Sequence, residues 1–353
     1  MRIDQVETPA LILDMDLVER NIDTMRQLLA GTGQALRPHY KSHKCAYLAH
    51  LQMEAGAKGI TCAKLGEAED LAACGIQDIL IANQITDPAK IARLAQLALH
   101  SRITICVDDL DNIAQISAAA KAANAVIHCY VEYEVGMQRC GAQTPEEFLT
   151  LVDAVSNAGA LRFDGIQAYA GHLSHEEDRA ARRLGAAGAE DRLRELLAFL
   201  DSRGIGVSQV SGASTGTAEF KAGGSVYTEL QAGSYLLMDG AYARLGLPFQ
   251  NALSIQATVI STAGGRIVTD AGIKCCGVDQ GPPVFADFPS CVPVMSEEHS
   301  AVMPSGHSCR PGDRLTLIPG HCCTTMNLHD SVFLARNGTI TGRIPVTSRG
   351  KCM

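Results

Sequence analysis

Three short stretches carry residue types able to do chemistry. Arg37-Pro38-His39-Tyr40-Lys41-Ser42-His43-Lys44 crowds several cationic side chains and two imidazoles into eight residues. On a strand, Lys41 and His43 share one face. A lysine at the mouth of a buried strand is a candidate Schiff-base nucleophile, because desolvation and cations such as Arg37 and Lys44 favour the neutral amine. The same residues also read as a solvated basic loop. Ser211-Gly212-Ala213-Ser214-Thr215-Gly216-Thr217 is small and hydroxyl-rich, so its backbone N–H groups and hydroxyls can surround a phosphate. Gln231-Ala232-Gly233-Ser234-Tyr235 offers a second wall for that cradle, and a plain surface loop is the alternative. In Pro319-Gly320-His321-Cys322-Cys323, an extended backbone points His321 and Cys323 the same way. Imidazole and thiolate suit zinc, and two ligands leave the open positions that catalytic metal needs. A buried cysteine pair beside a satisfied histidine fits the same letters.

The elements that must position these residues alternate. Strand-like runs at 8–14, 37–44, 59–63, 78–83, 103–108, 125–133, 163–169 and 209–212 are separated by helical periodicities, the longest over 176–203. Eight such units predict a closed (β/α)8 TIM-type barrel. No Gly-x-Gly-x-x-Gly follows the first strand, which disfavours a doubly wound sheet. Short strands at 252–261, 266–270, 313–318, 331–335 and 338–346, separated by glycine and proline turns, predict a β-rich C-terminal domain. The expected division is a barrel over 8–238 and a second domain over 239–353 with residues 1–7. The chemistry-bearing residues fall at the C-terminal ends of the barrel strands, where barrel enzymes place their working groups. These ends add Lys64, Asn83, Gln84, Asp108, Arg139, Tyr169, His172 and His175.

Composition sets bounds. The 353 residues are 46% hydrophobic and 19% charged with a net charge of -8, which disfavours a nucleic-acid partner. No apolar run is long enough to cross a bilayer, so no membrane is expected. The start, Met1 to Gln5, lacks the pattern of a signal peptide, and the cytoplasm is the expected location. Thirteen scattered cysteines in a large core-forming chain read as reduced thiols rather than a disulfide framework.

These motifs resemble the fold-type III pyridoxal-phosphate enzymes, the alanine-racemase-like group. Within it they are most similar to the D-threonine aldolase and 3-hydroxy-D-aspartate aldolase branch, with D-serine dehydratase-like enzymes nearby. Gln138-Arg139-Cys140-Gly141, Gly165-Ile166-Gln167-Ala168-Tyr169 and Asp270-Ala271-Gly272 complete the set, and the resemblance spans essentially the whole chain. It implies that Lys41 holds pyridoxal phosphate, that Arg139 lies near its phenolic oxygen and that Tyr169 lies beside its ring. Ser214, Thr215, Gly216, Thr217, Gly233 and Ser234 bind its phosphate. Gln231 occupies the position where alanine racemases place an arginine against the pyridine nitrogen. A neutral partner there leaves the nitrogen less positive and disfavours racemisation. By the same resemblance His321 and Cys323 would hold a divalent metal beside the substrate's β-hydroxyl, and His175, or second His43, would remove the hydroxyl proton. The aldolase branch usually carries His-x-Asp; Cys323 tilts the site from manganese or magnesium toward zinc. The expected substrate is a D-3-hydroxy amino acid cleaved to glycine and an aldehyde by a homodimer. Dehydration to a 2-oxo acid and ammonia, or cofactor binding without turnover, are the alternatives.

Overall fold

The computed structural model describes every residue except Ser305 and His307. It forms two compact units, Leu28–Tyr40 with Leu48–Gly233 and Lys351–Met353, and Met1–Gln27 with Lys41–Tyr47 and Ser234–Gly350. The chain's first strand, β1 (Ala10–Asp14), belongs to the latter unit.

In the former unit, β2 (Ala35–Leu36), β3 (Ile60–Cys62), β4 (Asp78–Ile81), β5 (Arg102–Val107), β6 (Ile127–Glu132), β7 (Leu161–Ala168), β8 (Gln209–Gly212) and β9 (Glu229–Leu230) are parallel. They pair in the order β2-β9-β8-β7-β6-β5-β4-β3. The ring closes where the Thr61 N–H donates to the Pro38 carbonyl at 2.9 Å and His39 bridges Thr61. Runs such as Ile79-Leu80-Ile81 and Ile103 to Val107 are buried along their length, as strands covered on both faces require. Helices between strands start on side-chain caps: Asp87, Asp109 and Thr144 each accept a backbone N–H from the first turn.

The barrel core holds a charge cluster that no hydrophobic pattern announces. Glu229 is fully buried and accepts from Arg37 Nε at 3.1 Å, Lys58 Nζ at 3.0 Å and the Tyr130 hydroxyl at 3.2 Å. Arg37 also donates to Asp78 at 2.8 Å. Burial pushes the Glu229 carboxyl up, but Arg37, Ser211 and Lys58 outweigh it and hold it below its ordinary value. Arg37, expected to bias Lys41 toward the neutral amine, is instead neutralised by two carboxylates. Removing one partner strands the other charges in a dry core. Glu229→Gln is therefore expected to destabilise the fold by about 3–5 kcal/mol in denaturant unfolding. A loss below about 1 kcal/mol would show the cluster to be solvent-relaxed.

In the other unit β1 joins β10 (Leu253–Ser261), β11 (Ile267–Thr269), β12 (Val284–Phe285), β13 (Val294–Met295), β14 (Ser300–Val302), β15 (Arg314–Ile318), β16 (Ser331–Arg336) and β17 (Thr339–Pro345). The path runs β13-β14-β11-β10-β1-β16-β17, with β15 also on β10 and β12 on β15. β1 is antiparallel to β10 and parallel to β16, with Ala10 opposite Gln256 and Ile12 opposite Phe333. The run at 8–14 is thus not a barrel strand; β9 is the eighth. Both places bury an apolar strand on both faces, so Ala10 to Leu13 looks alike in either. Among the described residues no helix is long and apolar enough to cross a membrane.

Candidate functional site

In the barrel unit, β6 ends at Glu132, which is buried. Gln84 Nε2 donates to its Oε2 at 2.6 Å and Arg139 Nη2 to its Oε1 at 3.3 Å. Burial pushes this carboxyl up, and its Gln84 and Arg139 partners pull back. The Arg139 guanidinium lies 5.4 Å from the Tyr169 ring centroid, within cation–π range. The Tyr169 hydroxyl meets Ser174 Oγ at 3.2 Å. The loop after β8 folds on itself: the Ser214 N–H donates to Thr217 Oγ1 at 3.1 Å and the Thr217 N–H to the Ser214 carbonyl at 3.1 Å. At Gly216 any Cβ would run into the Ser174 carbonyl, so only glycine fits this turn. Thr215 is buried with the loop. After β9, Gln231 Nε2 donates to Gln167 Oε1 at 2.7 Å and Ser211 Oγ at 2.8 Å. Gly233 ends the unit's long segment, Leu48–Gly233. His172 is exposed and His175 half-buried, just before the helix Arg179–Asp201 that Asp178 caps. Small residues and hydroxyls in a tight turn fit a phosphate, and a buried carboxylate steering an arginine fits a group that needs one fixed cation.

In the other unit, Lys41 is half-buried on a 3-10 turn, Tyr40–Ser42. The stretch is not extended, so the expected shared strand face of Lys41 and His43 does not exist. The turn is anchored by Cys45 Sγ donating to the Pro345 carbonyl at 3.3 Å and by the Ala46 N–H on Thr347 Oγ1 at 3.1 Å. His43 is fully buried, and its Nδ1 accepts the Cys45 N–H at 3.2 Å, which places the proton of the neutral ring on Nε2. Ser234 Oγ lies 3.4 Å from Ser42 Oγ and 3.6 Å from Cys323 Sγ.

His321 and Cys323 do come together, though not by alternation along a strand. His321 is the N-cap of the helix Cys322–Leu328, and Cys323 sits in its first turn. Asp239 holds that turn: its Oδ2 accepts the Cys322 N–H at 2.8 Å. The Thr325 hydroxyl donates to the His321 carbonyl at 2.7 Å. His321 meets Asp279 Oδ2 through Nδ1 at 2.6 Å. Burial works against the imidazolium, yet the Cys323 sulfur and the Asp279 carboxylate push His321 up to about 9. The Cys323 thiol is held well below its ordinary value by Cys322 first, then by His321 and the Lys41 ammonium, against burial. A carboxylate on Nδ1 fixes the ring tautomer and leaves Nε2 for a ligand, as in metal sites. Among the described residues no three His, Cys, Asp or Glu side chains converge as a metal cage. His321 and Cys323 supply one imidazole and one sulfur, donor types that divalent metals take. Asp279 escaped the sequence reading: it lies 42 residues before His321, in a Gly- and Pro-rich turn.

Residues 13–240 match the family model described as alanine racemase, N-terminal domain, and residues 252–335 that described as putative serine dehydratase domain. The chain is 38% identical to D-threonine aldolase of an Arthrobacter species, over 98% of this chain and 93% of that protein. It is 37% identical to 3-hydroxy-D-aspartate aldolase of Paracoccus denitrificans, with the same coverage. The crystal structure of D-threonine aldolase from Filomicrobium marinum superposes with a TM-score of 0.97 at 39% identity, covering 100% of this chain and 98% of that one. The chain therefore belongs to the alanine-racemase-like family, in the branch of D-threonine aldolase and 3-hydroxy-D-aspartate aldolase.

Proposed function

We propose that this chain is a pyridoxal-phosphate- and divalent-metal-dependent lyase that cleaves D-3-hydroxy amino acids to glycine and an aldehyde. Its likeness to two aldolases along nearly its whole length carries the reading. When bound, the cofactor supplies an electron sink for the electrons released at the substrate's α-carbon, and the metal acidifies the β-hydroxyl. Lys41 attaches the cofactor through its amine. Arg139, steered by Glu132, would lie near its phenolic oxygen, Tyr169 beside its ring and Gln231 at its ring nitrogen. Ser214 to Thr217, Gly233 and Ser234 hold its phosphate. His321 and Cys323 hold the metal, with Asp279 orienting the imidazole. His175 accepts the β-hydroxyl proton as the Cα–Cβ bond breaks; His43, the other candidate, is the poorer base because its Nδ1 lone pair is taken by the Cys45 N–H and its Nε2 carries the ring proton. The aldehyde leaves, and a proton returned to the α-carbon gives glycine.

The functional protein is a homodimer in the cytoplasm, and the cofactor-binding barrel expected over residues 8–238 begins after β1, which lies in the other unit. Its partner is a small amino acid rather than nucleic acid or membrane. The sulfur at Cys323 favours a second reading, zinc-dependent dehydration of D-serine or D-3-hydroxyaspartate to a 2-oxo acid and ammonia. One incubation separates them: a panel of D-3-hydroxy amino acids, with zinc or manganese, analysed for products. Glycine with a matching aldehyde is expected. Ammonia with an oxo acid selects the dehydratase, and no turnover of any member leaves only cofactor binding.

A further inference from the structure

Gln231 stands next to the barrel's buried charge cluster, with Ser211 between them. Glu229 takes donors from Arg37 and Lys58 at 3.1 and 3.0 Å. With two cations this close it is a carboxylate, and a carboxylate only accepts. Ser211 is one of the groups that pull the Glu229 carboxyl down, which points its one hydroxyl proton toward that carboxylate. Toward its next neighbour, Ser211 Oγ has only lone pairs. That neighbour is the Gln231 amide at 2.8 Å, which must therefore present N–H. The second Nε2 hydrogen goes to Gln167 Oε1 at 2.7 Å. Both amide hydrogens are committed, and among the described residues nothing donates to Gln231 Oε1. Gln231 is buried, at 4% exposure, so it has no solvent-driven freedom to turn over.

We infer that Gln231 is a fixed hydrogen-bond acceptor toward the cofactor's ring nitrogen and keeps that nitrogen protonated. The inference rests on the proposed function, which assigns Gln231 to that nitrogen. It reverses the expectation drawn from the residue type alone. A neutral amide free to rotate would meet an unprotonated nitrogen with N–H. One whose N–H groups are taken meets it with oxygen, and only a protonated nitrogen can bond there. A protonated ring draws electrons more strongly than the unprotonated ring beside an arginine, so glutamine here strengthens the sink. Ser211 and Glu229 are positioning residues that act through Gln231.

The test uses holoenzyme loaded with pyridoxal phosphate carrying nitrogen-15 in the ring, read by NMR without substrate. The wild type and Gln231→Glu, whose carboxylate also only accepts, are expected to show the shift of a protonated ring. Gln231→Met is expected to move it to the unprotonated value, and Ser211→Ala part-way, because the amide then turns. An unprotonated shift in the wild type overturns the inference, as does Gln231→Glu moving as far as Gln231→Met. An unchanged shift in Ser211→Ala overturns the relay. If the wild type retains no labelled cofactor, the proposed function itself fails and the inference falls with it. Bound cofactor with an unprotonated ring sinks the inference alone.

Discussion

Lys41→Ala is expected to abolish covalent retention of pyridoxal phosphate and to lower turnover of any D-3-hydroxy amino acid by roughly 10²–10⁴-fold or more. Lys41 is the residue that attaches the cofactor, so its loss costs at least what one positioned catalytic side chain contributes. The loss should not come from unfolding. Lys41 is half-buried on a turn whose neighbours hold the backbone: the Ser348 N–H donates to the Lys44 carbonyl at 2.9 Å, and Ala46 and Cys45 are anchored on residues 345–347. Absorbance of covalently held cofactor near the visible edge is the direct readout, and a thermal melt checks the fold. A Lys41→Ala protein that keeps the wild-type band removes Lys41 from its role. Near-wild-type turnover with the band gone would mean that attachment is dispensable.

The barrel was legible in the sequence because its inner strands are apolar runs separated by capped helices, a pattern few folds share. Its eighth strand was not legible. Glu229-Leu230 is two residues long, and its buried glutamate contradicts the apolar template. The run at 8–14 filled the vacancy in the count, since the centre of a nine-stranded sheet and a barrel wall impose the same burial on Ala10 to Leu13. β12, β13 and β14 were too short to show alternation.

The candidate site was legible where chemistry is local. Lys41, His321 and Cys323 stood out by residue type, though the geometry that serves them is a 3-10 turn and a helix N-cap rather than two strands. The residues that tune them were not legible. Asp279 reaches His321 from another loop, and within the barrel Glu229 holds Arg37 from inside a strand as a buried carboxylate. Such partners are set by tertiary contact, and no spacing in one sequence encodes them. The polarity of Gln231 is the sharpest case: its side chain is neutral on paper, yet a glutamate two residues before it, through Ser211, decides which end of the amide is free.

The metal pair carries the other large effect. A divalent ion bound only to the folded chain stabilises it by about 2.7 kcal/mol at a concentration one hundred times its Kd. Zinc is expected to raise the melting temperature of the wild-type protein accordingly, and His321→Ala is expected to lose that gain entirely. Asp279→Asn should keep the ligands but release the imidazole from its fixed tautomer, weakening zinc by roughly 10–100-fold. Cys323→Asp trades a soft sulfur for a hard oxygen, so its stabilisation should pass from zinc toward manganese and magnesium. It should also raise glycine formation relative to any ammonia, because it restores the His-x-Asp pattern of the aldolase branch. Cys322→Ala is the control, since Cys322 is buried with its thiol pushed well above the ordinary range by Cys323 and by burial, which keeps it a thiol rather than a ligand. Equal zinc stabilisation in wild type and His321→Ala would remove the metal from this pair. A zinc response lost in Cys322→Ala but kept in Cys323→Asp would assign the sulfur ligand to the wrong cysteine.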